Sequence, residues 1–270
     1  MPDGRIAVQL LGGASLRSGD APLSGPPAQR HRIALLALLA VAWPQPLPRD
    51  RAMVLLWPEK NTASARRLLN LAVHVLRGAL GEGAIRSTGD ALLLDPACVN
   101  CDLLALRTAL AEGALDRVAR LYTGPLLDGF HLSDSPEFDY WLDEHRAELQ
   151  HAYTDALLAL AQRQEREGDV HGRVATCRRL VAVDPCSGRF ALALMHALDA
   201  AGDRVGAIQH AIDHAGRVRA DLELDPEPEV VALAEQLRRE PARARSGPPP
   251  RVEPDARDDA AAAEPRAPSD

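Results

Sequence analysis

Aromatic residues are scarce in this chain: Phe, Tyr and Trp together make up 3 % of its 270 residues. Sheets are rich in aromatic and β-branched side chains, whereas Ala and Leu, which supply much of the 46 % hydrophobic content, favour helices. This composition argues against a β-sandwich or a β-propeller. The length leaves room for two domains of about 100–150 residues and a tail.

Long apolar runs are also missing. The longest, residues 33–43, is about half of what a membrane-spanning helix needs. The N-terminal sequence MPDGRIAVQLLGG lacks the charged segment and the long apolar segment of a secretory signal. We therefore expect a cytoplasmic protein with no membrane partner, whose four cysteines are reduced thiols.

Charge is unevenly distributed along the chain. The net charge of −7 disfavours nucleic-acid binding for the chain as a whole. Residues 1–81, however, hold ten basic and four acidic side chains, a net charge of +6, so the remainder carries −13. We interpret this as a basic module joined to an acidic one.

The pattern of the first 98 residues predicts a winged helix-turn-helix. Short strands are expected within residues 6–17, followed by helices over 28–42, 49–57 and 62–80. Three prolines stop the first helix, Asn61 or Thr62 can cap the third, and Gly81 suits its end. Residues 85–94 are typical of a β-hairpin with Gly89 in its turn.

Beyond Cys101 the pattern is helical, with helices expected at 102–111, 115–122, 136–164, 172–183, 187–201, 205–218 and 228–239. The pairs Gly168-Asp169 and Gly202-Asp203 lie 34 positions apart, the period of tetratricopeptide helical hairpins. The predicted class is mainly α: a winged helix-turn-helix (α+β) in residues 1–98 and an all-α, tetratricopeptide-like helical-repeat domain in 99–240. Residues 241–270 are rich in Pro, Asp and Ala, which predicts a disordered tail.

Three segments carry a family resemblance. They are residues 21–59 (APLSGPPAQRHRIALLALLAVAWPQPLPRDRAMVLLWPE) with the helix ending LRGALG, residues 120–132 (RLYTGPLLDGFHL) and residues 136–146 (PEFDYWLDEHR). Over about residues 5–240 the chain resembles bacterial regulators of the antibiotic regulatory protein type, in which an OmpR-type winged helix precedes a bacterial transcriptional activator domain. The resemblance implies a DNA-binding transcriptional regulator whose helical part dimerises or contacts other proteins. We expect no receiver domain before the winged helix, so the resemblance does not imply phosphorylation by a partner kinase.

A helical wheel of residues 62–80 separates a core face from a reading face. The core face holds Ala65, Leu69, Ala72, Val73, Leu76 and Leu80, and the opposite face, expected in the major groove, holds Ser64, Arg67, Asn70, Leu71, His74 and Gly78. Arg67 is placed to read guanine, Asn70 adenine and Leu71 a thymine methyl group. Arg66 and Arg77 flank this face and are assigned to phosphates, and Arg86 is the candidate contact of the wing.

This helix also departs from the family pattern. Leu68, Leu71, Val75 and Gly78 stand where related helices carry polar or basic residues. A second hypothesis is therefore a tetratricopeptide-like interaction scaffold whose winged helix no longer binds DNA. A positive surface over the arginines favours DNA, whereas an apolar patch around Leu68, Leu71 and Val75 favours the scaffold. The expected partners are promoter DNA, RNA polymerase or another regulator, and a second copy of the chain.

Other clusters predict neither catalysis nor metal binding. Cys98 and Cys101 have the spacing of half a zinc site but lack a second pair, so semi-buried thiols at a domain junction are expected. His210 and His214 are typical of a solvated helix face. The carboxylates between 134 and 148 alternate with apolar residues, as in an amphipathic helix. We therefore expect no enzyme activity, no cofactor and no metal.

Overall fold

The computed structural model describes residues 6–19 and 21–239. The helices are Arg30–Ala42 (α1), Arg49–Leu56 (α2), Thr62–Leu80 (α3), Asp102–Ala111 (α4), Leu115–Leu121 (α5), Pro136–Glu167 (α6), Val170–Val183 (α7), Gly188–Ala200 (α8), Arg204–Leu222 (α9) and Pro228–Arg239 (α10). None of the helices in these residues is long and apolar enough to cross a membrane. The tail predicted at 241–270 lies outside the described residues.

The strands form two small sheets near the N-terminus. They are Ile6–Gln9 (β1), Ser15–Ser18 (β2), Ala21–Pro22 (β3), Leu47–Pro48 (β4), Ile85–Thr88 (β5), Ala91–Leu94 (β6) and Asn100–Cys101 (β7). The order is β3-β2-β1-β7 in one sheet and β4-β6-β5 in the other. The antiparallel β5–β6 hairpin turns at Gly89, whose φ of 57° suits a residue without a Cβ. These sheets and α1–α3 confirm the predicted class, which is mainly α with an N-terminal winged helix.

Helix α3 has the predicted bounds. The side chain of Asn61 caps it by accepting a hydrogen bond of 2.9 Å from the backbone N–H of Ser64. Five residues of the predicted core face are buried and Leu80 is half-buried. The buried residues are Ala65, Leu69, Ala72, Val73 and Leu76. The helix ends at Gly81, whose φ is 104°.

The same Gly-Asp turn occurs at residues 168–169 and at residues 202–203, which explains the 34-residue spacing of the two pairs. Gly168 ends α6 with a φ of 75°, and Gly202 follows α8 with a φ of 78°. After each glycine an aspartate caps the next helix: the Asp169 and Asp203 carboxylates each accept a backbone N–H four positions beyond the glycine, at 2.9 Å. Two successive helical hairpins result, as the tetratricopeptide-like pattern predicts.

One hydrophobic core extends through both the winged helix and the first helices of the repeat, from Val8 to Phe190. Polar contacts cross the same boundary. The Asp102 carboxylate at the start of α4 accepts backbone N–H groups of Leu10 and Leu11 at 2.9 Å, and Ser135 donates its hydroxyl to the carbonyl of Leu55 at 2.6 Å. The two halves of the chain are therefore packed against each other, and the position of α3 is fixed relative to the helical repeat.

Candidate nucleic-acid interface

The predicted reading face of α3 points away from the core. Arg67, Asn70, Leu71, His74 and Gly78 are exposed and Ser64 is half-buried. Arg66 is exposed beside them. The Arg67 guanidinium donates to the Ser64 hydroxyl at 3.2 Å, so these two side chains act together. The face is thus available to a large ligand, and its contact with DNA bases stays a prediction.

The apolar residues Leu68, Leu71 and Val75 of α3 are exposed to different extents. Leu71 is 51 % exposed. Leu68 is half-buried and packs against the hydrophobic core, and Val75 is also half-buried. Because two of these three side chains are partly covered, the surface that the scaffold hypothesis requires is reduced mainly to Leu71.

Arg77 joins α3 to the wing, which is the β5–β6 hairpin at residues 85–94. Its Nε donates to the carbonyl of Ile85 at 2.8 Å and its Nη2 donates to the hydroxyl of Ser87 at 3.1 Å. The helical wheel places this side chain on an open flank of α3, but the wing folds over that flank and engages it. Arg77 therefore fixes the hairpin as well as presenting charge.

Arg49 belongs to the same surface, although the sequence analysis missed it. Its Nη1 donates to Oδ1 of Asn70 at 2.9 Å and its Nη2 donates to the Ser87 hydroxyl at 3.3 Å. The sequence signal for Arg49 is its position as the first residue of α2, where the helix dipole disfavours a cation. We call Arg49, Asn70, Arg77 and Ser87 the Ser87 cluster; it brings α2, α3 and the wing together.

The wing residue Arg86 is exposed but not unpaired. Its Nε lies 3.4 Å from Oδ2 of Asp95, a carboxylate that is only 18 % exposed. Part of its positive charge is therefore neutralised within the chain, which weakens the expected contact of the wing relative to that of Arg49 or Arg77.

The Arg146 side chain links the two motifs of the helical half, residues 120–132 and 136–146. Nε of Arg146 donates to the Leu126 carbonyl at 2.8 Å, and its Nη2 donates to the carbonyls of Leu127 at 2.6 Å and Phe130 at 3.4 Å. Leu127 has a φ of 48°, a left-handed conformation unusual for leucine. The segment 136–146 thus fixes the irregular loop of the segment 120–132.

Residues 101–238, just over half of the chain, match the family model described as bacterial transcriptional activator domain. The chain belongs to this family. The resemblance read from residues 120–132 and 136–146 is thereby confirmed. A search of curated proteins finds no match for the chain.

A solved structure supports the same fold for this bacterial transcriptional activator domain protein. Mycobacterium tuberculosis EmbR, determined in complex with a low-affinity phosphopeptide, superposes with a TM-score of 0.59 at 21 % sequence identity. The match covers 88 % of this chain and 66 % of the EmbR chain, so the present chain spans about two thirds of that relative. At this level of identity the likeness shows the fold.

The cysteine pair has the environment expected of structural thiols. Cys98 is half-buried and Cys101 is buried, and both are free. Burial raises the pKa of Cys101 to about 12, so its sulfur is a neutral thiol rather than the thiolate that binds metals. Within residues 6–19 and 21–239, no three His, Cys, Asp or Glu side chains are grouped to hold a metal ion.

The expectation of a solvated face at His210 and His214 is wrong for His214, which is 1 % exposed. Its Nε2 lies 2.9 Å from Oε2 of Glu227 and its Nδ1 lies 3.2 Å from the Pro185 carbonyl. The physical reason is that the segment leading into α10 folds back over α9 and covers the ring. Both ring nitrogens of His214 therefore face an oxygen atom within the fold.

Proposed function

We propose that the chain is a DNA-binding transcriptional regulator in which residues 1–98 read DNA and α3 enters the major groove. The observation that carries this proposal is the Ser87 cluster. Guanidinium groups from α2 and α3 donate to the same hydroxyl of the wing, at 3.3 Å and 3.1 Å. This surface lies beside the exposed face of α3 and on the half of the chain with net positive charge.

The Ser87 cluster has the donors that a backbone phosphate requires. Among the residues that the structure describes, neither Arg49 nor Arg77 forms an ion pair with a carboxylate, so their charges are available. The Ser87 oxygen accepts from both guanidinium groups, which leaves its own proton to donate outward. A phosphate seated there gains charge-assisted hydrogen bonds and relieves the repulsion between the two cations.

Base recognition is assigned to the exposed face beside this cluster. Arg67 is positioned for guanine and Leu71 for a thymine methyl group. Asn70 is positioned for adenine. Because Oδ1 of Asn70 already accepts from Arg49, we propose that its Nδ2 donates to a base acceptor while Arg49 orients the amide.

The phosphate contact is tested by the salt dependence of binding to a duplex of random sequence. Each phosphate neutralised contributes about 0.9 to the slope of log K against log salt concentration. We expect Arg49→Gln to lower that slope by about 0.9. Arg51→Gln is the matched control, because Arg51 lies on the same helix but borders a cavity lined by Trp141 and His145. Equal slopes for the two variants would contradict the assignment of Arg49.

Sequence reading is tested with an operator selected from random DNA by the full chain. Arg67→Ala combined with Asn70→Ala is expected to abolish specific binding in a gel-shift assay while the circular dichroism spectrum is unchanged. Unaltered operator affinity in the double variant would overturn the assigned reading face. If the wild-type chain binds no duplex even at low salt, the DNA-binding proposal fails and the scaffold hypothesis replaces it.

We also propose that residues 99–240 supply protein contacts to RNA polymerase, another regulator or a second copy of the chain. The supporting observation is the exposure of apolar side chains on the last two helices: Val205 is 80 % exposed, Ile212 49 % and Val231 41 %. Sedimentation velocity of the full chain over a range of concentrations tests the second copy. A sedimentation coefficient independent of concentration at the monomer value would exclude it.

A further inference from the structure

A groove of about 610 Å³ opens between α5, α6 and α7, away from the reading helix. This volume lies within the range of sites that hold small organic molecules, about 300–1,000 Å³. Its polar and aromatic lining consists of Arg120, Tyr122, Thr123, Gln150, Tyr153 and Arg179. The DNA-binding proposal makes no use of this groove.

Two stacked tyrosines form one side of the groove. The rings of Tyr122 and Tyr153 lie 4.1 Å apart between centroids and 14° from parallel. Tyr153 is 5 % exposed and Tyr122 is half-buried. Burial raises the pKa of both phenols, so at neutral pH they are uncharged and can donate hydrogen bonds. This side of the groove suits a planar apolar ring with a polar substituent.

The charge of the groove is opposite to that of the chain. Its lining includes Arg120 and Arg179, and no described residue that lines it is a carboxylate. Arg179 is held in place, since its Nη1 donates to the Ala119 carbonyl at 2.8 Å. Its positive charge lies close enough to the Tyr153 hydroxyl to oppose the rise in the pKa of that phenol. A guanidinium has five N–H donors, so donors are left for a ligand. Although the chain has a net charge of −7, the lining of this groove is positively charged and therefore favours an anionic ligand.

The remaining wall is fastened to the N-terminal sheet. The Thr123 hydroxyl donates to the Leu11 carbonyl at 2.9 Å, and the backbone N–H of Gly12 donates to the Pro125 carbonyl at 2.9 Å. A Cβ added at Gly124 would lie 2.7 Å from the Gly12 Cα, so the two backbones are in close contact. The groove therefore has a fixed wall and does not have to form when a ligand arrives.

We propose that this groove is a binding site for an aromatic carboxylate, with the ring against the Tyr122–Tyr153 stack and the carboxylate at Arg179. The stacked tyrosines favour an aromatic ring in the ligand, and the excess of arginine over acidic residues in the lining favours a negative charge on the ligand. The site is independent of the DNA-binding proposal, because it shares no residue with α3 or the wing.

The test is a ligand-observed NMR titration of the full chain with 2-naphthoate. We expect saturable binding with a dissociation constant on the order of 1 mM or tighter, as befits a ligand of this size. Two comparison compounds separate the two halves of the proposal. The neutral 2-naphthamide lacks the charge and cyclohexanecarboxylate lacks the aromatic ring, and each is expected to bind at least about tenfold more weakly. Equal binding of the amide, or no saturable binding of 2-naphthoate at about 10 mM, overturns the proposal.

Matched variants locate the site. Arg179→Gln is expected to weaken 2-naphthoate binding at least about tenfold, because a charge-assisted contact is lost. Arg178→Gln removes the same charge from the neighbouring exposed position, which does not line the groove, and is expected to leave binding unchanged. If the two variants bind equally, the ligand lies elsewhere and the assignment is wrong.

A second pair of variants separates an effect on the groove from a general change in charge or fold. Gln150 and Gln162 are both exposed on α6, but only Gln150 lines this groove. Gln150→Glu adds a carboxylate of nearly the same shape to the groove and is expected to repel 2-naphthoate. Gln162→Glu makes the same change in net charge and is expected to have no effect. Equal affinities of these two variants would contradict recognition of the negative charge in this groove.

Discussion

Replacing Asp102 with alanine is expected to destabilise the whole chain, because one carboxylate links the two halves of the fold. Its oxygens accept the backbone N–H groups of Leu10 at 2.9 and 3.0 Å and of Leu11 at 2.9 Å. These donors lie 92 and 91 positions away along the chain, and both leucine residues are almost fully buried. In the alanine variant the two N–H groups lose their partner where water has little access.

The size of the effect follows from these contacts. A buried donor left without an acceptor costs about 1–3 kcal/mol, so two cost roughly 2–6 kcal/mol. Burial raises the pKa of Asp102, which means that the wild-type carboxylate is itself desolvated at some cost. Removing it recovers part of the loss, and we expect a net decrease of about 3 kcal/mol in the free energy of unfolding. At about 2–4 °C per kcal/mol the midpoint falls by roughly 6–12 °C.

Urea unfolding followed by circular dichroism measures the change, with thermal unfolding as a second assay. Asp116→Ala is the control, because that carboxylate also accepts a hydrogen bond, from Arg163 at 2.7 Å, but is 53 % exposed. Its loss is expected to cost less than about 1 kcal/mol. If Asp102→Ala costs no more than Asp116→Ala, the reasoning about buried backbone donors is refuted.

Two further predictions concern other parts of the fold. Burial alone would raise the pKa of Glu227. Hydrogen bonds from His214 and the Gly188 backbone outweigh that effect, so the net pKa lies below the ordinary 4.5. The ionised carboxylate therefore stabilises the fold fully above pH 4.5, and this contribution is lost as the pH falls. The difference in free energy of unfolding between wild type and Glu227→Gln should shrink from pH 6 to pH 3. A difference that stays constant over this range would contradict the pairing of Glu227 with His214. Asn61→Ala removes the cap of α3 and should cost about 1 kcal/mol in urea unfolding, whereas an unchanged midpoint would show that the cap is not needed.

Local signals in the sequence are enough to place the helices and the β5–β6 hairpin. Asn61 and Gly81 mark the ends of α3 because capping and helix termination depend on adjacent residues. The helices predicted to begin at 172 and 205 begin at Val170 and Arg204, because Asp169 and Asp203 cap them earlier than the apolar pattern indicates. Strand β7 has two residues, too few to show a period.

The candidate site was only partly predictable for a physical reason. The exposed face of α3 follows from the 3.6-residue period, so Arg67 and Asn70 could be found from sequence. The contacts of Arg49 and Arg77 with Ser87 depend on how the wing packs against two helices, at separations of 38 and 10 positions. His214 was misjudged for the same reason, since the residue that pairs with its ring lies on the segment before the next helix.

The close contact between Gly12 and Gly124 has a consequence for recombination between related genes. A Cβ at residue 124 would meet backbone of residue 12, so a larger side chain there requires a compensating backbone shift in the other half of the chain. A crossover near codon 98 would exchange one side of this contact and leave the other behind. A chimaera that places a larger side chain at residue 124 therefore needs a parent whose residue 12 backbone is shifted to receive it.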